Sequence, residues 1–264
     1  MQSEKDIDNK SNTDSESNTD SESNTDSESE SESDGLKDVG ATLLGDELME
    51  ASKQGDIEAI EELLLEVNEY LSDYYDIVMR GAAEGNHIKI VLQMMRRGAN
   101  NYNWGLVGAA AGGHMEIAHL MIQNGATEYD LPMHWAAAKG HMNVVQLMSS
   151  KGANNYNSAM VEAAYGGHME IVNFMLDKGA DDYNETMVRA IRGSFMPIIR
   201  LMLEKGANNY NDALFSAVCY NYIEVISLML EKGANNYEKA INRTNNEDII
   251  ALLKVYKEGK SKLL

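Results

Sequence analysis

From about residue 47 onward the apolar residues fall into short blocks that come in pairs. Residues 157–179, NSAMVEAAYGGHMEIVNFMLDKG, show one such pair. Met160, Ala163 and Ala164 lie at i, i+3 and i+4, which is one face of a helix. Asn157 ahead of them is a good N-cap, and Gly166-Gly167 ends the run. A second helix is predicted from His168 to about Lys178, with Ile171, Val172, Phe174, Met175 and Leu176 apolar. Gly179 follows a basic residue and suits a left-handed C-cap. The next N-cap falls at Asn184. The chain holds only two Pro, which fits helices throughout.

The pair repeats. Gly-Ala dipeptides begin at Gly98, Gly125, Gly152, Gly179, Gly206 and Gly233, spaced 27 residues apart without exception. Tyr75, Tyr102, Tyr129, Tyr156, Tyr183, Tyr210 and Tyr237 keep the same period, as do His87, His114, His141 and His168, continued by Phe195 and Tyr222. Eight helical hairpins are expected, starting near residues 47, 77, 104, 131, 158, 185, 212 and 239. One hairpin has a handful of large apolar side chains, worth about 1.5–3 kcal/mol each. Ordering it costs about 1.5 kcal/mol per residue, so a copy cannot stand alone and stacking is obligatory. Alanines at 82, 109, 136, 163, 190 and 217 leave room for the neighbouring helix.

Leu131-Pro132-Met133-His134-Trp135-Ala136-Ala137-Ala138-Lys139-Gly140-His141 resembles the ankyrin consensus TPLHxAAxxGH, with Leu131 in place of Thr. Met142–Gly152 and Ala153 resemble its xxVVxLLLxxGA half. The match recurs over residues 77–237 and weakens at both ends. The resemblance implies an all-α, ankyrin-like α-solenoid of stacked helix-turn-helix repeats. Six residues of the usual 33 are missing, at the place where the family carries its β-hairpin finger. The sequence NNYN fills that gap, so a tight turn without β-structure is expected. Short repeats ending in GANNYN look like the ankyrin proteins of giant viruses of amoebae. The division that follows is a tail over 1–40, an N-terminal capping repeat over 41–72, six repeats over 73–238, and a C-terminal capping repeat over 239–264.

Charge changes the picture in one respect. The net charge is −20, half of it carried by residues 1–34. Like charges repel, which argues against a nucleic-acid backbone or an anionic membrane as partner. From Ser11 to Asp34 no apolar residue occurs, and SNTDSE appears three times. Such a segment is expected to be disordered. Ser17, Thr19, Ser23, Thr25, Ser27, Ser29 and Ser31 each have an acid three residues on, the pattern an acid-directed kinase favours. A solubilising extension with no modification is the plainer account of this tail. The one cysteine, Cys219, permits no intramolecular disulfide, which suits a reducing compartment. No apolar run is long enough for a membrane span, and no signal peptide is visible. An intracellular, cytoplasmic protein is expected, in the host cytoplasm if viral.

The recurrent side chains are assigned to building the stack. A zinc site from the histidine series is rejected, because neighbouring layers lie roughly 8–10 Å apart and zinc needs its nitrogens at about 2 Å. Each histidine is instead expected to hydrogen-bond backbone at its Gly-His turn. The tyrosines are expected to cover apolar surface between layers, and Met94, Met121, Met148, Met175, Met202 and Met229 to fill the core. Recognition is left to positions that differ between copies. One first-helix column holds Gly81, Gly108, Trp135, Glu162, Arg189 and Ser216; the other holds Glu84, Ala111, Ala138, Tyr165, Arg192 and Cys219. By the resemblance these line the concave face. Trp104, Trp135, Tyr165, Arg189 and Arg192 are the candidate partner-binding residues, since Trp, Tyr and Arg dominate interface hot spots.

No Walker loop, GxSxG, HExxH or CxxC is present, so neither enzyme, cofactor nor metal is expected. The expected function is a monomeric scaffold binding a partner protein through its concave face, as a viral protein acting on host proteins if the giant-virus resemblance holds. One alternative is a structural or assembly component packing through its solenoid surfaces. Another is a substrate-recruiting adaptor for a ubiquitin ligase, although residues 35–46 are too short to form an F-box-like segment.

Overall fold

The computed structural model describes residues 43–67 and 71–261. The expectations for residues 1–40, including the seven modification candidates, lie outside them. Among the described residues there are sixteen helices in eight pairs and no strand. They are α1 (43–54) with α2 (Ile57–Leu65), α3 (Leu71–Glu84) with α4 (Ile88–Arg97), and α5 (Tyr102–Gly112) with α6 (Met115–Gln123). Then come α7 (Asp130–Lys139) with α8 (Met142–Lys151), and α9 (Tyr156–Gly166) with α10 (Met169–Asp177). The last three pairs are α11 (Tyr183–Arg192) with α12 (Met196–Lys205), α13 (Tyr210–Cys219) with α14 (Ile223–Lys232), and α15 (Tyr237–Ile241) with α16 (Glu247–Ser261). The GANNYN segments between successive pairs contain a turn and no strand, as expected.

Each first helix packs along the next, α3 on α5, α5 on α7, α7 on α9 and α9 on α11. The second helices α6, α8, α10 and α12 barely meet. First helices therefore form one closely packed layer, the inner side of the stack, and second helices a looser outer layer. Small residues permit the close inner packing. Ala82, Ala109, Ala136, Ala163, Ala190 and Ala217 are fully buried, and so are Met121, Met148, Met175, Met202 and Met229. A Cβ on Gly108 would stand 2.2 Å from the Arg80 carbonyl oxygen, and one on Gly112 the same distance from that of Glu84. Gly81 and Gly108 are buried. At these two members of the variable column the absence of a side chain is a packing requirement.

The GANNYN segment resolves into separate jobs. The glycine caps a second helix at positive φ, as at Gly152 with φ 109°, and the alanine after it is buried. The second asparagine is the N-cap. Asn101 accepts from the Trp104 N–H at 3.1 Å, and Asn155 from that of Ser158 at 3.3 Å. The tyrosine packs on the core. The last residue reaches forward into the next repeat. Side-chain oxygens of Asp76, Asn103, Asp130, Asn157, Asn184 and Asn211 each accept two backbone N–H groups from residues 24 and 25 further on, at 2.7–3.2 Å. Asn157 and Asn184 are thus not N-caps; Asn155 and Asp182 are. The correction has a physical cause: the bare N–H groups of the turn need acceptors, and the preceding repeat supplies them.

A second ladder runs at the other end of the first helices. The Nε2–H groups of His87, His114, His141 and His168 donate to the carbonyls of Lys53, Glu84, Ala111 and Ala138, at 3.0–3.2 Å. The expected backbone bond exists, but it crosses to the preceding repeat and is not made within the histidine's own turn. Each such carbonyl is near the C-terminus of a helix, where acceptors lack intrahelical partners. Tyr222 Oη reaches the Arg192 carbonyl at 3.4 Å, while Phe195 has no donor to offer. Left-handed glycines stand beneath these rings: a Cβ on Gly140 would lie 2.6 Å from the His168 ring.

Candidate partner-binding face

The two variable columns lie on successive first helices along the inner side. The structure sorts their members by what they touch. Trp104 is the third residue of α5 and is 43 % exposed. The Arg80 guanidinium lies over its ring at 5.4 Å from the centroid. Trp135, half-buried on α7, lines a cleft of about 160 Å³ with Arg80, Glu84, Val107, Gly108, Ala111 and Lys139. His134 stands edge-on to Trp135 at 5.8 Å, and its Nδ1 meets Ser158 Oγ at 2.9 Å.

Tyr165, on α9, is 51 % exposed and is the most open aromatic of the set. Arg189 is not free. Its Nε donates to Glu185 at 3.0 Å, and a terminal nitrogen lies 3.9 Å from Glu162. Glu162 is itself the preceding member of the same column, so two variable positions neutralise each other. Arg192 is exposed at the end of α11, and Cys219 is exposed and free. The structure therefore joins Trp104 and Trp135 through Arg80. It ties Arg189 into an acidic pair and leaves Tyr165 and Arg192 open.

Arg80 and Lys139 belong to the cleft although sequence reasoning passed over them. Lys139 had a legible signal: its column otherwise holds Gly85, Gly112, Gly166 and Gly193, with Tyr220 at its end. Trp135 likewise stands where the previous repeat has Gly108. Side chains here occupy places where the helices before them meet backbone to backbone, and this opens the cleft. Burial holds the His141 imidazole below the ordinary histidine range. The rings of His114 and His168 and the Lys139 ammonium add repulsion, and the bond to Ala111 opposes the shift.

Residues 106–187 match the family model for ankyrin repeats, in three copies. No curated protein matches the chain. Among solved structures, the human ASB11 ankyrin repeat domain aligns with a TM-score of 0.51 and 21% identity, covering 67% of this chain and 96% of that one. The chain is an ankyrin-type helical solenoid. No described helix is long and apolar enough to cross a membrane.

Proposed function

We propose that this protein is a binding scaffold that captures another protein on the inner face of its stack, with Trp104, Trp135, Tyr165, Arg189 and Arg192 as the contact set. The observation that carries this reading is the placement of large aromatic side chains on a face whose packing elsewhere demands glycine and alanine. Trp135 and Tyr165 do not serve the stack as the recurrent Met and Ala residues do. Ankyrin repeats in general act as protein–protein interaction modules, which agrees. Within the set Arg189 has the smallest share, because Glu162 and Glu185 already engage it. If the GANNYN resemblance to giant-virus proteins holds, the partner is a host protein. Residues 1–40 would add a charged, modifiable extension.

Affinity capture tests the reading, comparing the wild-type chain with the double variant Trp135→Ala, Tyr165→Ala. The expected outcome is loss of the captured partner with an unchanged far-UV circular dichroism spectrum. Undiminished capture by the double variant removes the inner face as the binding surface.

A further inference from the structure

We infer that the cleft between α3, α5 and α7 receives an aspartate or glutamate side chain of the partner protein. This rests on the reading above that the inner face binds a protein. Gly108, Ala111 and Trp135 line a space of about 160 Å³ together with the charged residues Arg80, Glu84 and Lys139. At about 30 Å³ per water that is room for roughly five waters, or one acidic side chain.

The charges around this space do not cancel. Glu84 is paired with Lys53 outside the cleft. Among the described residues neither Arg80 nor Lys139 has an ion-pair partner. For a guanidinium the strongest partner is a carboxylate. Stacking on Trp104 holds the Arg80 fork in place. Trp135 offers an apolar surface to the methylene part of the incoming side chain. The chain as a whole carries −20 and favours cationic ligands. Two unpaired cations at one cleft favour the opposite, and at a range inside the Debye length of about 10 Å the near charges decide.

The two tryptophans of the protein, Trp104 and Trp135, both border this region, so intrinsic emission reports on it without a label. The full-length protein is titrated in about 0.1 M salt with the synthetic peptide GEDLEDG. Its amide counterpart GQNLQNG and its basic counterpart GKKLKKG are the controls. The acidic peptide is expected to give a saturable change in emission, and each control to bind at least about tenfold more weakly. Lys139→Glu and Arg80→Gln are each expected to weaken the acidic peptide about tenfold, while Lys151→Glu on the outer helix α8 leaves it unchanged. Lys139 is an exposed side chain, so its variant keeps the fold even if Arg80→Gln does not, and thermal melts check both.

A response to the basic peptide without one to the acidic peptide overturns the inference. So does an unchanged acidic affinity in folded Lys139→Glu. The wider reading fails separately: a partner lost by Trp135→Ala, Tyr165→Ala but retained by Lys139→Glu keeps the binding face and discards the carboxylate site.

Discussion

The joints made by His114, His141 and His168 differ from those made by Phe195 and Tyr222. In the first group a left-handed glycine precedes the ring, at φ 78–82°, and the ring donates a hydrogen bond of ordinary length, 3.0–3.2 Å, to the repeat before it. In the second group the left-handed residue is Ser194 at φ 60° or Asn221 at φ 57°. Phe195 forms no such bond, and that of Tyr222 is long at 3.4 Å. A left-handed serine is strained by about 1–2 kcal/mol where glycine is not. The same stack is therefore joined firmly through its middle and more loosely toward its C-terminal end. The family match, over residues 106–187, stops just short of Ser194. Stacking is thus set by apolar surface, and the polar ring bond adds strength to a geometry that survives without it.

Three variants break or sharpen this contrast. Gly112→Ala strikes the backbone of the preceding repeat within a firm joint, since its Cβ would lie 2.2 Å from the Glu84 oxygen. The helices must separate, and a loss of about 3 kcal/mol is expected in urea unfolding.

His141→Phe converts a firm joint into one like that at Phe195, and should cost about 1–2 kcal/mol because the Ala111 carbonyl loses its donor. It should also remove a pH dependence. The folded-state value of His141 lies below the unfolded value of about 6.5, so as pH falls the unfolded chain takes the proton first. The stability conferred by the neutral ring is full above about 6.5 and declines below it. Melting temperatures at neutral and mildly acidic pH should therefore diverge more in the wild type than in His141→Phe. An equal acid response in both places the proton uptake elsewhere.

The reverse exchange, Ser194→Gly with Phe195→His, rebuilds a firm joint in the loose region. It is expected to stabilise by about 1 kcal/mol, from relieved backbone strain and a regained hydrogen bond to the Tyr165 carbonyl. No gain in melting temperature would mean that the aromatic ring of Phe195 already compensates.

The repeat, the helix pairs and the core were legible in the sequence because periodicity reports burial directly. Met148, Ala136 and Val145 recur for one reason, contact with the layer beside them, and all three are fully buried. The NNYN asparagines were harder. Both Asn155 and Asn157 are good capping residues, and nothing local shows that one turns back on its own helix while the other reaches 24 residues ahead. The histidine bonds were misplaced for the same cause, a partner in another copy. On the inner face, variability alone could not separate Gly108, fixed by the Arg80 backbone, from Trp135, which lines a cleft. Nor could it show that Glu162 and Arg189 face each other. Variation between copies marks freedom from the shared pattern, and only contacts tell whether that freedom is spent inside the molecule.

The forward-reaching asparagine has a consequence for the gene. Acceptor and donors lie on opposite sides of one boundary, and the internal copies carry both kinds, so a unit duplicated in tandem meets its neighbours with complementary edges. Lineages can therefore lengthen or shorten the array by whole copies without inventing a new seam, while single-residue insertions within a copy are penalised.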